Sequence, residues 1–240
     1  KPLSHVDLIE KIDGADTKKA SQVAGSRFYY LKGDIVSLNL ALLRFALDIL
    51  ENKGYKPMWT PFFLRHEIIE AAAELADFEE QLYKIQGEDL YMIATSEQTL
   101  AAFHYDEILS PEVLPIKYAG ISSCFRREAG SHGKDTLGIF RVHQFEKVEQ
   151  YIFCKPEDSW DFHEELIENA EEIFKQLEIP YKIVSIASGE LNDNASKKYD
   201  LEAWFPGSNT YRELVSCSNC LDYQARKLKI RTGKIGSKEE

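Results

Sequence analysis

The chain has 240 residues, 44% of them hydrophobic and 12% aromatic, enough to bury a core in one large domain or two small ones. Its 29 basic and 40 acidic side chains leave a net charge of −11, which argues against non-specific nucleic-acid binding but permits a local basic patch. No apolar run reaches the ~20 residues of a membrane span, the first residues carry no signal core, and Cys124, Cys154, Cys217 and Cys220 are too scattered for a disulfide framework. A reduced, cytoplasmic protein without a membrane partner is expected.

Residues 1–24 are polar and weakly patterned, which predicts a short helix and a connector. Leu40, Leu43, Leu47 and Leu50 share one helical face, and Gly54 is the expected stop. Trp59–Phe63 reads as an edge strand, because Pro61 lacks a ladder donor. A helix over roughly Glu67–Leu75 precedes a hairpin whose arms, Leu82–Ile85 and Leu90–Ile93, flank the turn Gln86-Gly87-Glu88-Asp89. Thr95 with Gln98 fits a capping box opening a helix that ends near His104. Strands are predicted over Lys117–Arg126 and Ile139–Phe153, around a loop holding Gly130, Gly133 and Gly138.

Pro156-Glu157-Asp158 opens an amphipathic helix with Leu166, Ile167, Ala170, Ile173, Phe174 and Leu177 on its stripe. Strands near Tyr181–Ile186, Tyr199–Phe205 and Tyr211–Ser216 and a basic helix over Leu221–Lys229 follow. Strands outnumber crossover helices of suitable length, so an α+β fold, an antiparallel β-sheet flanked by helices, is expected rather than a doubly wound one.

The segment Ser122–Gln150 carries the chemistry. Alternation from Ile139 sets Arg141, His143, Phe145, Lys147 and Glu149 on one face, with Phe140, Val142 and Val148 opposite. Arg126, Arg127 and Glu128 stand before the glycines on the preceding strand. Guanidinium groups bind phosphate through paired donors, a flat ring supports a base, and a carboxylate accepts from amines and hydroxyls. Those are the needs of an aminoacyl-adenylate site. A solvated sheet face crossed by salt bridges explains the same pattern.

Cys124-Phe125-Arg126-Arg127-Glu128-Ala129-Gly130, Gly133-Lys134-Asp135-Thr136 and the run Phe140–Glu149 closely resemble motif 2 of seryl-tRNA synthetases, which are class II enzymes. Gly25–Gly33 resembles the family's entry into its catalytic domain, and Gly54–Pro61 with the helix before it resembles motif 1. Ala94-Thr95-Ser96-Glu97 is similar to the serine-binding loop, and Arg212–Cys220 to the segment that closes over ATP.

The resemblance implies a connector over residues 1–24 and a class II catalytic domain over 25–240. It implies ATP-dependent activation of L-serine to seryl-adenylate and transfer of serine to tRNA(Ser), with ATP as co-substrate, Mg2+ as the metal, and a homodimer formed through the motif 1 helix. Arg126 would bind the α-phosphate and the serine carboxylate, and Arg141 the phosphate tail. These two are the expected catalytic residues. Thr95, Ser96, Glu97 and Glu149 would bind serine, with Glu149 accepting from its hydroxyl. Arg127, Glu128, Val142, Phe145, Leu214 and Val215 would complete the ATP site, and Glu213 with Ser216 would hold Mg2+. His143 and Lys147 share the active face without an assigned role. Cys217-Ser218-Asn219-Cys220 invites a zinc reading but lacks a second pair of ligands, so zinc is not expected.

Two family features are not recognised. No sustained heptad pattern precedes Ser26, as the family's tRNA-gripping arm would require, and no motif 3 is found before residue 240. Weak tRNA discrimination and a reduced ATP floor are the expectation. Arg127 is a further departure, since many relatives carry a small residue there. Two competing functions keep the same fold: an armless paralogue that delivers an amino acid to a carrier protein, and a binding module with weakened catalysis.

Overall fold

The computed structural model describes residues 2–72, 78–131, 133 and 135–233. Ser4 caps α1 (His5–Lys11) in a reciprocal capping box with Asp7, and Asp16 caps α2 (Thr17–Ala24). Between them β1 (Ala15–Asp16) pairs antiparallel with β2 (Tyr30–Leu31). Residues 1–24 are thus richer than the single helix and connector expected, because the polar caps supply helix starts that hydrophobic periodicity does not register.

Next come α3 (Asp34–Asn52), β3 (Lys56–Trp59), β4 (Phe63–Arg65) and α4 (His66–Ala72). The expected end of α4, residues 73–75, lies outside the described residues. After α5 (Phe78–Gln81), β5 (Leu90–Met92) pairs with β4. The predicted hairpin around Gly87 forms but is short: Lys84 bridges Tyr91, with Ile85 N donating to Leu90 O and Met92 N to Tyr83 O, both at 2.9 Å, while the other edge of β5 pairs with β4. Then follow α6 (Ser96–Ala101), β6 (Ile108–Leu109), β7 (Ile116–Phe125), β8 (Gln144–Phe153), α7 (Ser159–Gln176), β9 (Tyr181–Ser185), β10 (Lys197–Phe205), β11 (Thr210–Asn219), α8 (Tyr223–Lys227) and β12 (Arg231–Thr232).

The fold is α+β, as expected. β7 and β8 form a ten-residue antiparallel ladder with β3 on the far edge of β7, and β9, β10 and β11 form an antiparallel meander. Two pairs are parallel, β3 with β7 and β6 with β12, which local periodicity did not predict.

The two faces of the β7–β8 ladder differ. Ala119, Ile121, Val148 and Ile152 meet Leu47, Leu50 and Tyr55 of the α3 region and Leu166 of α7. The other face carries α6, admitted by Gly120: a Cβ there would lie 2.7 Å from Leu100 Cδ1 and 2.9 Å from Ser96 Oγ. Leu50 is 1% exposed at the centre of the first face, so Leu50→Ala should lower the free energy of unfolding by about 2–5 kcal/mol. A urea titration with unchanged slope checks this. A second core joins Ile167, Ala170 and Phe174 of α7 to Leu201, Ala203 and Cys217, as the predicted stripe required.

β8 begins at Gln144, five residues later than the predicted Ile139. Residues 139–143 leave the ladder because their polar groups are engaged elsewhere. His143 N donates to Arg27 O at 3.1 Å, and the Arg27 guanidinium donates to the carbonyls of Ser131, Asp135 and Arg141 at 2.8, 3.2 and 3.3 Å. Arg27 therefore binds the glycine-rich loop from within. Gly138 turns that loop at φ 78°, and α1 packs so closely there that a Cβ would strike His5 and Val6.

Candidate active site

Along β8, Phe145, Lys147 and Glu149 face α6, opposite Cys124, Ser122 and Gly120 of β7. The N-cap residue of α6 meets them. Thr95 Oγ1 accepts from Glu97 N at 3.2 Å as an N-cap should, donates to Glu149 Oε2 at 2.8 Å and accepts from Lys147 Nζ at 3.1 Å. Lys147 Nζ also lies 2.6 Å from Glu149 Oε2. The predicted capping box takes another form: Gln98 Oε1 accepts from Ala94 N at 3.0 Å, outside the helix start.

Glu97 lies behind this cluster, its Oε1 accepting from Gln224 Nε2 at 2.8 Å, while Gln224 Oε1 accepts from Tyr151 Oη at 2.8 Å. Burial, and then the Glu149 charge, raise the Glu97 pKa, partly opposed by Lys147, Gln224 and Arg126. Lys147 keeps 34% of its side-chain surface open, so the cluster lines a cleft rather than a sealed core. Burial is still the largest influence on Lys147 and pulls its pKa down, but the charge and hydrogen bond of Glu149 outweigh it and leave the pKa raised.

Arg126 stands just past the end of β7. Its Nε donates to Ala94 O at 3.2 Å, and its guanidinium carbon lies 5.1 Å from the Phe145 ring centre. His143 Nδ1, 2.8 Å from Arg126 O, ties the return limb of the loop to this point. Arg141 Nη1 pairs with Glu128 Oε2 at 2.7 Å, while its buried Nε makes no hydrogen bond and lies 3.9 Å from Asp135 Oδ2. Arg212 holds both carboxylate oxygens of Asp135 at 2.6 Å and stacks 3.8 Å over Phe140. That hydrogen bonding depresses the Asp135 pKa. Arg127 is exposed, with its amide bonded to Gln81 O at 2.9 Å, and Val142 is buried.

β11 contributes through an irregularity. Its register with β10 pairs Leu201 with Val215 but Glu202 with Glu213, so Leu214 is an inserted bulge residue, 46% exposed. In a regular strand, residues three apart point to opposite faces. The bulge returns Glu213 to the face of Ser216, alongside Glu202 and Asp200 of β10. Glu213 is open to solvent, yet the surrounding protein and then the Asp200 carboxylate raise its pKa, against the pull of Lys198, Arg126 and Lys147. Asp200 Oδ1 is buried without a hydrogen-bond partner. Val215 packs into the α7 core instead. Burial, and then Glu149, push the Cys217 thiol up to about 12, and burial with Glu97 raises Cys220, so both stay protonated at neutral pH. Among the described residues, no three or more His, Cys, Asp or Glu side chains stand together to hold a metal.

The structure therefore brings Thr95, Glu97, Arg126, Phe145 and Glu149 into one cleft, joins Glu128 to Arg141, and sets Glu213 and Ser216 on one strand face. Ser96 and Val215 are exceptions, the first with its Oγ buried against Gly120 and the second turned into the α7 core. Sequence reasoning missed the contacts of Lys147, the Gln224 bridge, the Asp135–Arg212 latch and the grip of Arg27. Alternation had already set Lys147 on this face; nothing local marks Gln224.

A model of the tRNA synthetase class II core domain (G, H, P, S and T) matches residues 80–240. A curated serine--tRNA ligase of Methanosphaera stadtmanae is 65% identical over 98% of this chain and 56% of its own length. One from Helianthus annuus is 60% identical over 99% of this chain and 55% of its own. The chain thus spans about half the length of the curated relatives it matches. The crystal structure of seryl-tRNA synthetase from Pyrococcus horikoshii complexed with ATP superposes with a TM-score of 0.97 at 54% identity, over 99% of this chain and 54% of that one.

Proposed function

The chain belongs to the class II tRNA synthetase core family, and on that premise we propose that it forms most of a seryl-tRNA synthetase active site, within a catalytic domain that starts near residue 25. L-serine, ATP and tRNA(Ser) are its substrates in this reading. The observation that carries it is the meeting of Thr95, Lys147 and Glu149 beside Glu97 and Arg126, a pocket for a small zwitterion with a hydroxyl.

Serine's ammonium group is taken by Glu97, with Thr95 beside it, and its hydroxyl donates to Glu149. Arg126 lies where it can hold the serine carboxylate and the α-phosphate together. The carboxylate is already a nucleophile. It attacks the α-phosphorus, and the bond to pyrophosphate breaks as the new P–O bond forms. The contribution of the protein is therefore positioning and cationic stabilisation of phosphate charge. Phe145 offers a ring face for adenine, with Glu128, Val142 and Leu214 around it. Arg141, whose buried Nε makes no hydrogen bond, and Arg127 serve the phosphate tail.

Mg2+ fits the hard oxygen donors of Glu213 and Ser216, on the face that also carries Asp200, whose buried Oδ1 makes no hydrogen bond and lies 3.9 Å from Lys198 Nζ; burial and then the Asp200 charge raise the Glu213 pKa. When bound, it neutralises phosphate charge. A homodimer is supported by the apolar residues that α3 leaves exposed, Val36, Leu38, Leu40 and Leu42. The curated relative from Oryctolagus cuniculus is a cytoplasmic serine--tRNA ligase, which supports the same compartment here.

Serine-dependent exchange of labelled pyrophosphate into ATP tests the reading. Exchange with serine, and at least about a hundredfold less with alanine or glycine, is expected, because a site built to bond a hydroxyl rejects analogues that lack it. Exchange with none of these amino acids, or equally with all, would refute it.

A further inference from the structure

Lys147 is the one charged side chain at the centre of the amino-acid pocket to which the proposed reaction gives no task. Its Nζ touches two of the groups around serine, Glu149 Oε2 at 2.6 Å and Thr95 Oγ1 at 3.1 Å. Thr95 has one proton and two acceptor sites. The proton goes to Glu149, and the acceptor sites take Glu97 N and Lys147 Nζ. Lys147 therefore fixes the direction of the Thr95–Glu149 hydrogen bond as well as the position of Glu149.

We propose that Lys147 is a positioning residue that holds Glu149 and the Thr95 hydroxyl in place and whose charge offsets the neighbouring Glu97, so that the pocket offers two acceptor carboxylates to the ammonium and hydroxyl of serine. The inference rests on the serine-activating reading above. The charge count supports it. Glu97 and Glu149 are balanced by Lys147 and Arg126, which leaves a neutral site for a neutral zwitterion. Without Lys147 the site is anionic, and two nearby carboxylates with one counter-cation share a proton. A protonated Glu97 no longer pairs with the ammonium, and Glu149 loses the contact that fixes its carboxylate beside Thr95.

The other titratable groups facing the pair cannot replace the lysine. From β8 comes Tyr151, from β7 Cys124, from β11 Cys217 and Glu213, and before α8 Cys220. The tyrosine and the thiols are neutral at pH 7, because burial raises each of them, and Glu213 adds negative charge. Arg126 is the remaining cation, and the α-phosphate competes for it.

The test is serine-dependent pyrophosphate exchange by the whole protein across pH, for wild type, Lys147→Met, Lys147→Gln and Lys147→Arg. Wild-type exchange establishes the underlying reading independently of the variants. Lys147→Met should raise the KM for serine by about tenfold or more with the KM for ATP within about twofold. It should also move the acidic limb of kcat/KM for serine up by about one pH unit, the low end of what a neighbouring charge does to a carboxyl. Lys147→Gln can still donate to Thr95 but carries no charge, so it should behave like the methionine variant. Lys147→Arg should restore both quantities most of the way. A wild-type acidic limb in the glutamine or methionine variant, or equal losses for serine and ATP, would overturn the proposal and leave Lys147 a packing residue.

Discussion

Glu149→Ala should lower kcat/KM for serine by about 10²- to 10³-fold and leave ATP affinity within about twofold. Glu149 is 14% exposed, accepts from Thr95 Oγ1 and neutralises Lys147. A hydrogen bond to a charged group contributes about 1.5–3 kcal/mol, and stranding its half-buried cationic partner adds about a further 1 kcal/mol, so about 3–4 kcal/mol is at stake. At about 1.4 kcal/mol per factor of ten, the stated range follows. The adenine and phosphate groups have other ligands, Phe145, Glu128 and Arg141 among them, so the loss should fall on serine alone. Exchange kinetics with serine and alanine, alongside direct ATP binding, check this. The variant should also lose most of its preference for serine over alanine, because the group that rewards the hydroxyl is gone. Parallel losses of serine and ATP affinity would show that Glu149 holds the fold of the cleft instead of reading the hydroxyl.

Arg126→Ala should show the opposite signature, a fall in the rate of adenylate formation of about 10²- to 10³-fold that saturating serine and ATP do not repair. One preorganised cation aimed at developing phosphate charge is worth that much in comparable sites. Its direction is set before substrate arrives, by the Nε bond to Ala94 O at 3.2 Å and by the Phe145 ring beneath the guanidinium. Arg126→Lys should recover little, since a lysine has neither the planar stack nor the second donor direction. Single-turnover adenylate formation, measured at saturation, separates this loss from weakened binding. A near-normal single-turnover rate in the alanine variant would remove Arg126 from the chemical step.

The two predictions draw on different amounts of sequence information. Phe145, Lys147 and Glu149 were legible as one row because strand alternation is a local rule, obeyed by every second residue once the strand begins. The stripe of α7 was legible for the same reason, and the motif 2 segment named its own chemistry. The start of β8 was not legible. Ile139–His143 has the alternation of a strand, but His143 N donates to Arg27 O and Arg141 O accepts from the Arg27 guanidinium, more than a hundred residues away in the chain. Pattern records a propensity, and a competing partner from elsewhere overrides it.

The sequence by itself determined the fold class, the order of most elements and which side chains carry charge and aromatic surface into the site. The tertiary structure alone decided how those groups meet. Thr95 reaches Glu149 across 54 residues of chain because Gly120 lets α6 settle on the sheet. Gln224 reaches Glu97 across 127. Glu213 and Ser216 share a face only because β10 and β11 slip by one residue at Leu214, and a register shift belongs to the pair of strands rather than to either one. Local periodicity sets where a side chain points along its own element. Which other element stands opposite depends on packing between distant segments, and the catalytic geometry is made there.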